Sequence, residues 1–582
     1  MFLFLYKKGK NIKMKIQKID SCNFNKKNRN INFQSKTILT NTKIKPRMDI
    51  FYKSINLKEG IMNNFVKIRE SFSEKIYPIA LKSGIADWNF FINSNDENFK
   101  IMTDASDEYK KLWQNENLYN EFLKLKDIEL SKHEKKQLKK IIDCFEEELN
   151  SGEDLKKLRD KENEIAKKYN SYIPTINGKE TTKAEINKIL ETEKNLELRQ
   201  KAYEANIKGG DLIANDLQEF VIMRNEYAKN KGYPNFFEYK LKEAYEVDIN
   251  ELEILLDDIY KKSNDLIKEK INENKKELSE YFGISENNLK SYHYGYLTEN
   301  NPEKKVNDFI KTKEQVVDIA KKTYQGIGYD IDSLEKEGKL TLDLYPRKNK
   351  NTHGFCFNLD AGKDARILAN LTNNSKSLET LNHELGHCIY TLDNSPELPF
   401  FDREEYPAMT EAIAMMMQDL QKRENILKDS VNKDVLKEYK KTFIDDEIKF
   451  ITKALTLINF EKEMYKNPDK DLKQLWHDMK VKYQMRSEKE ELDNGWATIP
   501  HFLSHPAYYQ NYFRATIIKA QIYNYLTSKL GNLTENKNTS NILKNELFKY
   551  GISMEENELI KNMTGKNLSI DDFINTLTKL NK

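Results

Sequence analysis

Two histidines and a glutamate have the spacing that a helical zinc site requires: His383 and His387 lie four residues apart, and Glu384 lies between them. A helix repeats every 3.6 residues, so both imidazoles share one face and can reach a Zn²⁺ at about 2.1 Å. Glu384 then lies beside the ion, where it can take a proton from zinc-bound water. The alternative is two polar residues on a helix surface. Asn374 can cap a helix start, and a buried stripe at helical spacing favours the zinc site: Leu378, Leu381 and Leu385.

Glu411 is the predicted third zinc ligand. A catalytic zinc site uses three protein ligands and keeps a fourth position open for water, and a glutamate on a following helix can complete the set. A helix is predicted to begin near Met409, and the 24-residue separation of His387 and Glu411 leaves room for a loop and a returning antiparallel helix. Glu404 and Glu405 lie in the loop, and we expect both to be solvated. One Zn²⁺ per chain is the predicted cofactor.

A second block rich in histidine and tyrosine runs from Trp496 to Phe513. Zinc-assisted hydrolysis of an amide needs neutral or cationic donors to hold the oxyanion of the tetrahedral intermediate, and histidine and tyrosine supply them without negative charge. His501 and Tyr512 are the candidates for this role. The alternative is an aromatic cluster that only fills the core.

The segment before the zinc motif changes from helical to strand-like patterns. Residues 340–345 alternate like a strand, and residues 353–357 read as a second short strand, which predicts a small β-sheet beside the zinc helix. An exposed strand edge can bind an extended peptide through backbone hydrogen bonds. Gly354 would let that peptide approach closely. The alternative is an ordinary structural hairpin.

The overall composition predicts a mainly α protein. Charged residues make up 32 % and hydrophobic residues 38 % of the 582, with only 20 Gly and 12 Pro, which favours long amphipathic helices. Residues 1–48 are rich in Lys and Asn without a sustained apolar period, so we predict a disordered N-terminal extension. Residues 49–582 are predicted to form a single unit.

Charge and cysteine usage limit the partners and the compartment. The 96 basic and 93 acidic residues are interspersed and give a formal charge of +3, so no large field of one sign points to nucleic acid. The four cysteines are widely spaced without a C-x-x-C pair, which favours a reducing compartment. No stretch approaches the roughly 20 apolar residues of a membrane span. We therefore predict a cytoplasmic protein without membrane partners, as a monomer or weak oligomer.

Four stretches together resemble the angiotensin-converting enzyme family of gluzincin peptidases, particularly its bacterial members. They are His353-Gly354, residues 362–366, the motif 383–387 with Glu411, and residues 496–512. The resemblance extends through most of residues 180–530. It implies a large helical ellipsoid with two lobes around a deep central substrate channel, with residues 49–345 as the mainly helical channel lobe and residues 346–582 as the zinc-bearing lobe.

The resemblance also implies roles for individual residues. It assigns His383, His387 and Glu411 as zinc ligands and Glu384 as general base. It assigns stabilisation of the oxyanion to His501 and Tyr512. His353 would contact the substrate backbone near the scissile bond. Tyr509 matches a tyrosine that helps to bind the substrate's C-terminal carboxylate.

Two departures from the family pattern affect these roles. A lysine that binds the terminal carboxylate in the family's peptidyl-dipeptidases is replaced by Ile499. An aspartate that orients a zinc histidine is replaced by Met415. Another group must then orient that histidine, because a metal-bound imidazole usually donates its other N–H to a partner.

These observations predict a zinc metallopeptidase that cleaves short peptides, in the manner of a peptidyl-dipeptidase (dipeptidyl carboxypeptidase). An oligoendopeptidase of the thimet or oligopeptidase F type is the alternative within the enzyme class. A non-catalytic helical peptide-binding protein is the alternative outside it.

Overall fold

The computed structural model describes residues 64–149, 153–298 and 301–580. The predicted N-terminal extension, residues 1–48, lies outside the described residues. The described part contains 22 α-helices and five short strands, so the prediction of a mainly α fold is confirmed. The helices are α1 (Asn64–Ile92), α2 (Asp96–Trp113), α3 (Glu116–Leu123), α4 (Lys132–Leu149), α5 (Glu153–Asn170), α6 (Lys183–Thr192), α7 (Leu196–Asp211), α8 (Ala214–Asn230), α9 (Phe236–Tyr245), α10 (Ile249–Phe282), α11 (Pro302–Asn307), α12 (Lys313–Ile327), α13 (Ile331–Lys336), α14 (Ser375–Asp393), α15 (Pro407–Arg423), α16 (Lys433–Lys466), α17 (Leu472–Gln484), α18 (Pro500–Ser504), α19 (Tyr509–Leu530), α20 (Asn538–Glu546), α21 (Glu556–Thr564) and α22 (Asp571–Leu580).

The predicted small sheet lies directly before the zinc helix in the chain and packs against it. Its strands are β3 (Leu340–Asp343), β4 (Phe355–Asp360) and β5 (Asp364–Leu368), whereas β1 (Thr175–Ile176) and β2 (Lys179–Glu180) form a separate hairpin. The strand order is β3-β5-β4, with β5 parallel to β3 and antiparallel to β4. The sequence patterns predicted β3 and β4 and missed β5. Because β4 pairs on one side only, its other edge is free within this sheet.

Helix α14 carries the zinc motif and begins where the sequence predicts. The Asn374 side chain accepts a hydrogen bond from the Ser377 N–H, so it satisfies one of the unpaired donors of the first turn. Helix α15, which carries Glu411, begins at Pro407, two residues before the predicted start. Proline suits the first turn of a helix because it lacks the N–H that would stay unpaired there.

Two large hydrophobic cores meet at α19. The first core packs α14 and α15 against α12, α19 and the C-terminal helices. The second core combines helices between residues 158 and 267 with residues 443–577. Helix α19 contributes Phe513 and Ile517 to the second core and Ala515 and Ile518 to the first. Helix α19 therefore connects α14 and α15 to the second core. The predicted lobe boundary near residue 345 stays a prediction.

A third, smaller core joins the N-terminal helices α1–α4 around Phe72, Trp113 and Phe145. Phe401, from the loop between α14 and α15, inserts into this core and stacks on Phe72 at 6.0 Å between ring centroids. The N-terminal helices therefore hold the loop that leads into the helix of Glu411. Among the described residues, no helix combines the length and apolar composition that a membrane crossing needs.

Candidate metal centre

Helices α14 and α15 cross in close contact at Gly386. A Cβ atom at Gly386 would lie 2.7 Å from the Cα of Ala414, well inside ordinary carbon–carbon contact. Glycine at this position removes the side chain that would push the two helices apart. The crossing brings Glu411, one turn before Ala414, towards the two histidines of α14.

The three predicted zinc ligands converge. The Nε2 atoms of His383 and His387 lie 3.2 Å apart, and Glu411 Oε2 lies 3.6 Å from the first and 3.9 Å from the second. Two ligand atoms that each lie about 2.1 Å from one tetrahedral ion are separated by about 3.4 Å. These three side chains form a group that could hold a metal ion, with their ligand atoms all within 4.8 Å of one another. The donor set fits Zn²⁺.

The protonation of the two imidazoles also suits a metal. Burial lowers the pKa of His383 to about 4, and burial together with His383 lowers the pKa of His387 well below its usual value. Both rings are therefore neutral, the form that ligates metal. The buried Oε2 of Glu411 has no hydrogen-bond partner among the described residues. A buried carboxylate oxygen without a partner is energetically costly unless a cation binds to it.

Glu384 lies beside this group in a site that disfavours its charge. Burial and the nearby Glu411 carboxylate raise the pKa of Glu384 to about 8, and the backbone N–H of Cys356 opposes the shift. Burial also raises the pKa of Glu411 to about 7. Two buried carboxylates without a counter-charge repel each other, and a bound dication would favour the ionised form of both.

The free edge of β4 faces Glu384. The N–H of Cys356, in β4, is directed at the Glu384 carboxyl, and a Cβ built on Gly354 would lie 3.5 Å from Glu384 Oε1. The same Cβ would approach the Thr380 methyl to 3.3 Å, so Gly354 allows a tight fit between strand and helix. His353 is exposed just before the strand, and its backbone N–H donates to Asn351 Oδ1. The free edge of β4 and the predicted base Glu384 therefore lie next to each other.

The histidine–tyrosine block approaches the ligands from α18 and α19. The ring of His501 lies 4.7 Å from that of Tyr509 and 6.1 Å from that of Tyr512, measured between centroids. Burial lowers the pKa of His501 to about 4, with His505 and Lys453 adding to the shift, so this ring is a neutral donor. Burial and the charges of nearby groups, with Glu411 first, raise the pKa of the Tyr512 hydroxyl, which keeps its proton.

Three groups that sequence reasoning missed, or placed wrongly, touch the predicted ligands or their partners. The Tyr508 hydroxyl donates to Glu411 Oε1 at 3.3 Å, whereas the tyrosines predicted to act at the site were Tyr509 and Tyr512. Thr410 Oγ1 lies 2.9 Å from Nδ1 of His387 and is therefore a hydrogen-bond partner of this predicted ligand. Glu404 is exposed as expected, whereas Glu405 is only partly exposed, because its carboxyl accepts hydrogen bonds from Thr391 and Asn358.

Ile499 lies where the resemblance expects a cation. It is partly buried and packs against the second hydrophobic core. An alkyl side chain in this position gives no charge to a substrate carboxylate.

Comparison with protein families gives two matches. The model of Peptidase family M3 matches residues 189–579, two-thirds of the chain, including the predicted ligands and the histidine–tyrosine block. The model named Angiotensin-converting enzyme matches residues 59–291, and the two matches together confirm the resemblance to gluzincin metallopeptidases that was noted from the sequence. No curated protein matches the chain. Both families are zinc metallopeptidases, which leaves the non-catalytic alternative without support.

Proposed function

Because the chain belongs to peptidase family M3 and is a zinc-dependent peptide hydrolase, we propose that it cleaves short peptides at the centre formed by His383, His387 and Glu411. One Zn²⁺ per chain is the proposed cofactor. The observation that carries the proposal is the free edge of β4, where the backbone N–H of Cys356 is directed at the carboxyl of the predicted base Glu384. A peptide in this position would lie against the catalytic carboxylate.

The proposed roles follow from the donors and their surroundings. When bound, zinc supplies Lewis acidity, which lowers the pKa of water and polarises a carbonyl. Glu384 accepts the proton of the attacking water and returns it to the leaving amine. His501 is a neutral imidazole with one N–H, and Tyr512 keeps its hydroxyl proton. Both donate hydrogen bonds to the oxyanion of the tetrahedral intermediate.

Strand β4 supplies the proposed binding surface for the substrate backbone. An extended peptide that pairs with the free edge satisfies its own N–H and C=O groups, so its affinity does not depend on particular side chains. His353 lies at the start of this edge and is proposed to contact the substrate backbone. Gly354, whose backbone lies close to Thr380 and Glu384, is proposed to be part of the same surface.

The proposed mode is that of an oligopeptidase that cuts short peptides internally. Ile499 offers no cation to a terminal carboxylate, which supports this mode. Release of C-terminal dipeptides is the second candidate, and Lys453 favours it. This lysine is exposed on α16, and its charge contributes to the lowered pKa of His501, so it lies near enough to the histidine–tyrosine block to attract a substrate carboxylate.

Mass spectrometry of the products from one ten-residue peptide, with its C-terminus free or amidated, separates the two modes. Internal cleavage of both forms supports the oligopeptidase. Loss of dipeptides from the free form alone supports the second candidate, and Lys453→Ala should then remove the preference for the free C-terminus. The absence of any chelator-sensitive cleavage would refute the proposed function.

The residue assignments have a separate test. Glu384→Gln should keep zinc and lose nearly all turnover, because the amide cannot accept the proton. Glu411→Ala should lose zinc, because two imidazoles alone hold the ion weakly. Turnover of Glu384→Gln near the wild-type rate would show that another group is the base. The cytoplasmic location and the monomeric or weakly associated state stay predictions.

A further inference from the structure

The predicted zinc ligand His387 has a hydrogen-bond partner on helix α15. Its Nε2 faces His383 and Glu411, so in the metal-binding form its hydrogen is on Nδ1. That Nδ1 lies 2.9 Å from the Thr410 hydroxyl oxygen. Thr410 immediately precedes Glu411 on α15. The hydroxyl therefore accepts the Nδ1–H and keeps its own hydrogen to donate.

The carboxyl of Glu405 can accept a hydrogen bond from the Thr410 hydroxyl. Burial raises the pKa of Glu405 to about 7, and hydrogen bonds from Thr410 and Thr391 oppose the shift. The Thr391 hydroxyl donates to Glu405 Oε1 at 2.9 Å, and Nδ2 of Asn358 donates to the same oxygen at 3.0 Å. Thr391 lies one turn after His387 on α14, and Asn358 lies on β4. The carboxyl is thus held by the zinc helix and by the sheet at once.

We propose that Thr410 and Glu405 form a relay that positions the zinc ligand His387. The relay runs from Nδ1–H of His387 to the Thr410 oxygen, and from the Thr410 hydroxyl to the Glu405 carboxylate. It sets the tautomer and the orientation of the ring and raises the basicity of its Nε2. Thr410 and Glu405 are positioning residues, since both would act through His387.

The relay also explains why a loop carboxylate is kept half-buried. A buried carboxyl without hydrogen bonds is costly, and here two anchoring donors fix it in the place where the threonine hydroxyl needs an acceptor. The hydroxyl has one hydrogen, so it can join one donor and one acceptor in line.

Zinc affinity of the metal-free protein, measured by competition with a chromophoric chelator, tests the relay without reference to turnover. Thr410→Val keeps the shape and removes the hydroxyl, so it should weaken zinc binding by about 10- to 100-fold. Thr410→Ser restores the hydroxyl and should return the affinity to within about threefold of wild type. Glu405→Gln removes the charge and should weaken binding by a smaller factor, while kcat falls at saturating zinc.

Thr539→Val is the matched control, since its buried hydroxyl bonds only to the Leu533 carbonyl in the C-terminal region. It should leave zinc affinity unchanged. The inference rests on the proposed function, but different results would contradict the relay and the proposed metal site. If the wild-type protein binds no zinc, the proposed metal site is wrong. If the wild type binds zinc and both Thr410→Val and Glu405→Gln bind it equally well, the relay alone is wrong. If Thr410→Val does not fold, Glu405→Gln decides in the same way.

Discussion

Substitution of Gly386 by alanine tests whether the close crossing of two helices creates the metal centre. Gly386 lies between the two histidines of α14, and its missing Cβ would lie 2.7 Å from the Cα of Ala414 on α15. The contact atom belongs to the backbone, so no side-chain rotation can relieve the clash. Helix α15 must move, and Glu411 moves with it.

The size of the movement follows from the contact distance. Carbon atoms in contact prefer about 3.5–4.0 Å, so the helices must separate by about 1 Å at the crossing. Overpacking of this kind costs about 1–3 kcal/mol, whereas the higher helix propensity of alanine returns about 1 kcal/mol. A displacement of about 1 Å in a catalytic group can lower the rate about 100-fold. The substitution should therefore lower the catalytic rate much more than it lowers the free energy of unfolding.

Gly386→Ala should raise the zinc dissociation constant at least about tenfold and lower kcat/KM about 100-fold, with a modest decrease in Tm. The assays are chelator competition, steady-state hydrolysis of a quenched fluorescent peptide and thermal unfolding. Gly209→Ala is the control, because its Cβ would meet only the movable rings of Tyr172 and Tyr169, at 3.0 and 3.2 Å. Zinc affinity and kcat/KM of Gly386→Ala within about threefold of wild type would refute the reasoning.

Two further predictions concern the oxyanion donors and the buried charges that hold the same helices. Tyr512→Phe should lower kcat about 100-fold with little change in KM, because the hydroxyl acts on the oxyanion rather than on the bound peptide; a change in KM alone in steady-state assays would make it a binding residue. Lys519, on α19, is buried and lies 2.7 Å from Asp419 on α15 and 2.6 Å from Glu447 on α16. Lys519→Met leaves two buried carboxylates unpaired and should lower the free energy of unfolding by about 3–5 kcal/mol, measured with denaturant; a loss below about 1 kcal/mol would contradict this account.

Local spacing along the chain was enough to predict the helix that carries the site. Two histidines four residues apart share a face whatever the tertiary structure, and a cap at Asn374 depends only on its own first turn. The mainly α composition and the strand alternation of β3 and β4 are also local properties. Strand β5 was missed because its short segment Asp364–Leu368 reads as a strand only when both neighbours are in place.

The tertiary structure alone decided which distant groups meet the histidines. The crossing at Gly386 depends on the packing of two helices, and it sets where Glu411 and Thr410 lie. Glu405 reads as a solvated loop residue, yet donors from α14 and β4 enclose it. The third ligand could be predicted because a zinc site demands one, whereas its hydrogen-bonding neighbours depend on long-range contacts that leave no periodic signal in the sequence.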